Sequence, residues 1–206
     1  VSPIVRRMQE DFNSILFNMV KVRKISYLEP KEVEDLIRKP VEGLLSYHPL
    51  VVSKIQNVTA CHPYFVQLIC DGLVQVARNE KRNYVELMDL DLVIQNVVHD
   101  ATGNIKNSIY RLLGETEQLV LAALANATDD VRVWVTLGDI VSVLEQYGLS
   151  RPRDDLMEAL VTLRERDLIA EMRIGQQLRY SFRMGLVRMW LRQNEILLRL
   201  MKEEEI

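Results

Sequence analysis

The sequence is poor in the residues that build covalent or metal-based frameworks. Only two cysteines, Cys61 and Cys70, occur in 206 residues, and their spacing around a helix start is typical of small buried hydrophobes rather than a disulfide or zinc pair. The three histidines, His48, His62 and His99, lie far apart, without cysteine or acidic partners at metal-ligand spacing. We therefore expect no metal site and a reducing, cytoplasmic location.

Long apolar runs and catalytic motifs are also missing. The apolar stretches are short and interrupted, so we expect no membrane span and no membrane partner. The eight glycines never form the phosphate-binding pattern G-x-x-x-x-G-K-[ST], and no serine or cysteine stands in a nucleophile motif. These 206 residues are therefore predicted not to be an enzyme by themselves and to bind no cofactor alone.

Neither sign of charge dominates. The formal net charge is −3; residues 1–104 hold 12 Lys and Arg against 13 Asp and Glu, and residues 105–206 hold 14 against 16. A domain that lives on nucleic acid usually carries a clear basic excess. Composition alone therefore argues against nucleic-acid binding as the default function.

The first half shows a series of short amphipathic helices that begin at prolines. Proline is favoured in the first helical turn because its fixed φ fits and its missing N–H would have no partner there. Helices are predicted to begin at Pro30, Pro49 and Pro63, the last running to about residue 79, with Leu50 among the inward-facing residues of the second. A fourth is predicted over 89–99 with Asp89 as its N-cap. Residues 25 to about 100 are thus predicted to form a compact helical bundle.

The second half has a different rhythm. ATGN at 101–104 is the predicted boundary, and a linking helix over 104–114 follows it. The pattern then predicts a helix, a short strand at 132–135, a helix capped by Thr136 and Asp139, and a third helix capped by Ser150. Strict alternation over 170–174 and 178–182 predicts a β-hairpin, and one long helix from 185 is predicted to close the chain. This order is typical of a winged helix-turn-helix, so the predicted fold class is mainly α, a helical bundle followed by a winged helix with a β-hairpin wing.

Arginines in the winged-helix region raise the question of DNA binding. Arg153, Arg164 and Arg179 are the candidate DNA contacts, because a winged helix reads DNA with its third helix and its wing. Residues 151–185, however, hold seven arginines against six acidic residues. Three of these acids lie in the first turns of the third helix, where phosphate would repel them; paired or solvated charges explain the same pattern.

The closing helix has an apolar stripe that includes Trp190 and Leu197. One side of the helix is expected to pack on the winged helix. The excess width of the stripe is explained either by further core contacts or by a homo-oligomer contact through Trp190 and Leu197. Sequence alone leaves both explanations open.

Two motifs in the first half carry a family resemblance. The first is Leu28, Pro30, Glu32, Leu36, Ile37 and Pro40, in the pattern L-x-P-x-E-x-x-x-L-I-x-x-P. The second is Thr59, His62, Pro63, Tyr64, Gln67 and Cys70, in a turn-helix pattern. In this order they resemble the lid region of prokaryotic STAND ATPases, which are AAA+-related signal-transducing proteins with a winged helix after the lid. Ala60 and Cys61 depart from the glycine pair that is usual there.

The resemblance implies domains and a function that the residue pattern alone does not. Residues 1–24 would be a remnant of a nucleotide-binding core, 25–103 a helical lid and 104–206 a winged-helix domain. In a longer parent ATPase that binds ATP or ADP with Mg²⁺, Pro63 would touch the adenine and His62 would face the nucleotide cleft. The lid and winged helix would couple nucleotide state to a partner or subunit, with the missing P-loop domain of the same chain as the first partner. The alternative is a DNA-binding module of a transcription regulator or an origin-recognition-like ATPase.

Overall fold

The computed structural model describes residues 27–99 and 103–204. The predicted remnant at 1–24 and part of the predicted boundary at 101–104 lie outside the described residues. The described part is mainly helical, as predicted. Its first module contains helices α1 (Pro30–Arg38), α2 (Pro49–Thr59), α3 (Pro63–Asn79) and α4 (Leu87–His99), a 3₁₀ turn (Lys39–Val41), and strands β1 (Ser46–Tyr47) and β2 (Tyr84–Val85).

Helices α1, α2 and α3 begin at the three predicted prolines. The start of α4 differs from the prediction: the helix begins at Leu87, so Asp89 lies in its first turn and is not the N-cap. Its carboxylate accepts a hydrogen bond from the Glu86 backbone N–H (2.8 Å) and another from the guanidinium of Arg82 (2.8 Å). Asp89 therefore satisfies an unpaired backbone donor from inside the helix, which is the second half of a capping box.

The core of the first module lies where α2, α3 and α4 meet. Phe65, Ile69 and Leu73 of α3 are buried, as the spacing predicts. Leu50 was predicted to face inward and is 57% exposed; it lies on the outer side of the first turn of α2, whereas the next residue, Val51, is fully buried. Strands β1 and β2 pair in parallel, with Ser46 opposite Tyr84, which joins the starts of α2 and α4.

The segment between the modules is not the single helix that the sequence predicts. It forms α5 (Asn104–Ser108) and a 3₁₀ turn (Tyr110–Leu112), because the backbone leaves helical geometry at Ile109, with φ −126°. We refer to residues 103–113 as the linking segment.

The second module is a winged helix, as predicted. Its elements are α6 (Glu115–Ala127), β3 (Val135–Thr136), α7 (Leu137–Gln146), α8 (Arg153–Glu165), β4 (Ile169–Ile174) and β5 (Gln177–Phe182). The antiparallel sheet has the order β3-β5-β4, with Ile174 opposite Gln177 at the hairpin tip and Val135 opposite Tyr180. Helix α6 is buried on most sides, from Leu119 to Ala125, and is the centre of this module.

Local boundaries in the second module depart from the sequence pattern in two places. Strand β3 begins at Val135 rather than 132, because Asp130 accepts backbone hydrogen bonds from Arg132 and Val133 and holds them in a turn. Helix α8 begins at Arg153 after Pro152, so Ser150 is not its cap. The predicted Thr136–Asp139 capping box is present, with the Asp139 N–H donating to Thr136 Oγ1 (3.2 Å) and the Thr136 N–H donating to Asp139 Oδ2 (2.7 Å).

The closing helix is broken into two. Helices α9 (Gly185–Gln193) and α10 (Ile196–Glu204) are separated at Glu195, which has a left-handed φ of 49°. The break lets both parts fold onto the core. Trp190 is 5% exposed and Leu197 is 2% exposed, so the apolar stripe is accounted for within the chain. The structure does not place these two side chains on a surface where a second subunit could contact them.

Helix α9 packs across both modules. A Cβ added to Gly185 would lie 3.4 Å from Val58 Cα and 3.6 Å from Val131 Cγ1, so its backbone runs directly against the end of α2. Among the described residues, no helix is long and apolar enough to cross a bilayer.

Candidate functional site at the start of helix α3

The turn before α3 has an unusual backbone. Ala60 and Cys61 both have left-handed φ values, 49° and 63°, at the two positions where the resemblance leads one to expect glycines. The turn is held by Thr59, whose Oγ1 accepts a hydrogen bond from the Cys61 N–H (3.2 Å), and by Leu28, whose N–H donates to the Cys61 carbonyl (3.0 Å). Left-handed φ is costly for residues with a Cβ, so this turn stores strain that the surrounding contacts offset.

His62 is the N-cap residue of α3, but its side chain makes no capping hydrogen bond. The ring lies between Tyr27 (centroid distance 5.6 Å, interplanar angle 83°) and Phe65 (5.3 Å, 60°). Its Nδ1 is buried without a hydrogen-bond partner, and burial lowers the pKa of the imidazole. His62 is therefore a half-buried packing group in surroundings that favour the neutral imidazole.

Pro63 and Tyr64 follow His62 in the first turn of α3, and the Tyr64 ring contacts the Phe65 ring (5.1 Å between centroids). Pro63 is half-buried and Tyr64 is 42% exposed. The side chain of the N-cap residue His62 does not cap the first turn, which leaves backbone N–H groups of that turn for a ligand. The start of α3 thus has an outer face at Pro63 and Tyr64 and an inner face at His62 and Phe65.

The inner face connects to the winged helix through Tyr27. The Tyr27 hydroxyl donates to the backbone carbonyl of Asp167 (2.8 Å), and the Arg183 guanidinium lies 4.5 Å from the Tyr27 ring centroid. Arg183 Nη1 also pairs with Asp167 Oδ1 at 2.8 Å. We call Tyr27, His62, Asp167 and Arg183 the junction cluster. Sequence reasoning missed Tyr27, Asp167 and Arg183, because residues 140 positions apart leave no periodic signal.

A cavity of about 380 Å³ lies beside the junction cluster. Its charged lining residues are Arg166, Glu165 and Asp167, and its apolar walls include Ile109, Leu168 and Met184. Two carboxylates beside one guanidinium do not favour a phosphate chain. The lining of this cavity therefore does not suit the phosphates of a nucleotide.

The three candidate DNA-contacting arginines are dispersed. Arg153 is exposed in the first turn of α8 and makes no ion pair with a described residue. Arg164 lies at the other end of the same helix, about 16 Å away along the axis, and pairs with Glu171 at 2.8 Å. Arg179 is half-buried on β5, and its Nε is buried without a partner. The structure does not gather them into one patch.

Two further groups from the sequence analysis have clear places. Cys61 and Cys70 are half-buried free thiols, and burial raises the pKa of Cys70 to about 12. In the described part of the chain, no cluster of His, Cys, Asp and Glu could hold a metal ion.

Comparisons with known proteins gave matches to solved structures only. No family model and no curated protein matches the sequence. Cdc6p from Pyrobaculum aerophilum is 19% identical over 87% of this chain and 50% of its own, with a TM-score of 0.40. The ORC1 protein of Aeropyrum pernix, solved in complex with DNA, is 14% identical over 85% of this chain and 49% of its own, with a TM-score of 0.43. Drosophila ORC bound to DNA is 14% identical over 79% of this chain and 44% of that chain, with a TM-score of 0.34. The chain spans about half the length of the solved chains it matches.

Proposed function

We propose that this chain is the lid and winged-helix part of a STAND or AAA+-type ATPase and couples nucleotide state to the winged helix. The observation that carries the proposal is the two-sided start of α3. Its outer face at Pro63 and Tyr64 is open to a ligand, while His62 on its inner face packs on Tyr27, which hydrogen-bonds Asp167 of the winged helix. The resemblance of the two motifs to the STAND lid, in which this helix start approaches the nucleotide, supports the proposal.

The physical argument for coupling is short and direct. Packed side chains, hydrogen bonds and rigid helices can carry energetic coupling between two parts of a molecule. His62 contacts Tyr27 by its ring edge, and Tyr27 is fixed to the winged helix by one hydrogen bond and one cation–π contact. A rotation of α3 that follows nucleotide binding at Pro63 would therefore move residues 165–168. Rigid elements swung by a ligand contact are a common form of switching.

The proposal gives this chain a binding and relay role rather than a catalytic one. ATP binding, Mg²⁺ coordination and hydrolysis belong to the P-loop domain of the longer protein. In this chain, Pro63 and Tyr64 would contact the base of the nucleotide. The junction cluster would transmit the resulting movement of α3 to the winged helix. Signal transduction to a partner or a neighbouring subunit would follow from movement of the winged helix.

The test uses the protein in which this chain follows a nucleotide-binding domain. Amide hydrogen exchange over residues 163–168 is compared with ATP, with ADP and without nucleotide. We expect a nucleotide-dependent difference in the wild type, which Tyr27→Phe abolishes without changing nucleotide affinity. Tyr84→Phe, at an exposed tyrosine of β2, is the matched control and keeps the difference. Exchange that is indifferent to nucleotide in the wild type contradicts the proposal.

DNA binding is a second candidate function, and a specific observation favours it. The wing exposes Met172 and Ile174 at the hairpin tip, Arg173 lies between them and is exposed, and Arg153 is unpaired on the helix that would enter the groove. A gel shift with duplex DNA over a range of salt concentrations tests it, because phosphate contacts give a steep salt dependence. Arg153→Glu with Arg173→Glu should abolish a real shift, and Lys31→Glu on α1 should not. No shift at low salt removes this candidate.

A further inference from the structure

A second cavity lies on the other face of the linking segment. Its volume is about 560 Å³, and it is bounded by the end of α4, the linking segment and the break between α9 and α10. Ser108 and Leu112 of the linking segment line the cavity beside His62, whereas Lys106 and Arg111 line this one. We call it the basic cavity.

The charged lining of the basic cavity is of one sign. Among its described lining residues, Lys106, Arg111 and Arg199 are cationic and none is a carboxylate. Three cations that converge without a counter-charge repel one another. The chain has a net charge of −3, so this concentration of positive charge does not follow from composition.

These cations also lack the carboxylate partners that several arginines elsewhere in the molecule have. Arg111 donates to Asn107 Oδ1 (2.9 Å), and within the described residues no side-chain hydrogen bond or ion pair involves Lys106 or Arg199. By contrast, Arg38, Arg82 and Arg183 each pair with a carboxylate. The charges of Lys106 and Arg199, which no described carboxylate neutralises, are therefore complementary to a bound anion.

Two aromatic residues form part of the cavity. Trp190 is buried at its base and packs against Tyr110, with ring centroids 5.3 Å apart. The helix break at Glu195 directs α10 so that Arg199 and Leu200 also line the cavity. A volume of this size is in the ordinary range for small-ligand pockets, and a concave site suits a compact ligand better than a rigid duplex.

We propose that the basic cavity binds a small ligand with two or more phosphate groups. Guanidinium and ammonium groups donate charge-assisted hydrogen bonds to phosphate oxygens, and the site offers two of the first and one of the second. The ligand would contact both the linking segment, which includes α5, and the closing helices α9 and α10. It would therefore stabilise the position of the winged helix relative to the first module. This inference is independent of the nucleotide role proposed for Pro63.

The first test is a titration of the 206-residue chain with inorganic tripolyphosphate at low salt. Trp190 is the reporter, and Trp134→Phe removes the other tryptophan. We expect saturable binding of one ligand per chain, seen both as a change in Trp190 emission and by calorimetry. Absence of binding at low salt overturns the proposal.

Charge-neutralising variants locate the site. Lys106→Gln with Arg199→Gln should weaken tripolyphosphate binding at least about tenfold, because two charge-assisted contacts are lost. Both residues are exposed, so the thermal unfolding midpoint should change little. If the double variant is destabilised, Lys106→Gln alone is used instead. Arg153→Gln with Arg173→Gln removes the same charge from the wing and should leave binding unchanged. Equal losses in the two pairs, or no loss in either, overturn the proposal.

Two further arms distinguish the sources of phosphate. ADP and tripolyphosphate are compared to learn whether a nucleoside adds affinity. Short duplex DNA is then added as a competitor at equal phosphate concentration. If DNA displaces tripolyphosphate, and the Lys106 and Arg199 variant loses DNA binding, the cavity is a nucleic-acid site and the small-ligand proposal is overturned. Failure of DNA to compete supports it.

Discussion

The two cavities on either side of the linking segment make opposite use of charge. Beside His62, Asp167 and Arg183 pair with each other and hold Tyr27 in place. In the basic cavity, Lys106 and Arg199 point their charges into open space without a counter-ion from the described chain. Paired charges at a domain junction fix geometry, and unpaired charges of one sign leave binding energy for a partner. We therefore interpret the first cavity as a structural joint, and the second is the proposed ligand site.

The largest expected effect tests whether the wall of the basic cavity is part of the core. Trp190→Ala should lower the free energy of unfolding by about 3–5 kcal/mol, since a buried aromatic side chain and its contact with Tyr110 are both lost. Urea unfolding measures the change. Met172→Ala, at an exposed position on the wing, should change stability by less than about 0.5 kcal/mol. A loss below about 1 kcal/mol for Trp190→Ala would mean that Trp190 is a surface residue, as the self-association hypothesis requires.

The joint is tested by removing one atom. Tyr27→Phe deletes the hydrogen bond to the Asp167 carbonyl and keeps the ring under Arg183, so stability should fall by about 0.5–1.5 kcal/mol. Tyr84→Phe removes an exposed hydroxyl and should have no measurable effect. Equal unfolding midpoints for the two variants would show that the junction cluster does not hold the modules together.

A substitution in the strained turn at Ala60 and Cys61 is expected to increase stability, in contrast to Tyr27→Phe. Ala60→Gly should raise the free energy of unfolding by about 0.5–1 kcal/mol, because glycine adopts the left-handed conformation at lower cost. The same substitution at Ala77, inside α3, should lower stability by about 1 kcal/mol. Chemical denaturation of both variants checks the signs. Destabilisation at both positions would contradict the left-handed φ of Ala60.

The smallest effect is a pH dependence that belongs to the joint alone. Because burial lowers the pKa of His62, the unfolded chain binds a proton more readily than the folded chain. The contribution of His62 to stability is therefore fully present above the pKa of histidine in the unfolded chain, about 6.5. It is lost as the pH falls through that pKa towards the lower pKa of the folded state. His62→Gln should flatten the fall in urea midpoint between about pH 7.5 and pH 5.5. His99→Gln, at an exposed histidine, should keep the wild-type slope; a wild-type slope in His62→Gln would contradict the prediction.

Local features of the fold follow from local sequence, and the site does not. Helix α3 begins at Pro63 and ends at Asn79, as predicted, because proline and a polar run mark its ends. The hairpin follows from the alternation of β4 and β5. The break at Glu195 has no proline or glycine to mark it, and it arises because Trp190 and Leu197 must both reach the core.

The contacts that define the joint are invisible to sequence periodicity. The pairing of Ser46 with Tyr84 and of Tyr27 with Asp167 joins residues far apart in the chain, and each depends on how whole helices pack. The sequence around His62 and Pro63 correctly predicted where α3 begins. It did not indicate that His62 turns inward while Pro63 and Tyr64 remain on the outer face.

Because Gly185 of α9 lies close to the backbone of α2, the size of the side chain at residue 185 controls how closely the two modules can pack. Alanine there would touch Val58 at ordinary van der Waals distance, since its Cβ would lie 3.4 Å from Val58 Cα. Every additional carbon must push α9 away from the backbone of α2, which does not yield as a flexible side chain does. Substitutions at residue 185 with uncharged side chains of increasing size would therefore increase the separation of α9 from α2 stepwise. The charge of the molecule would stay the same throughout the series.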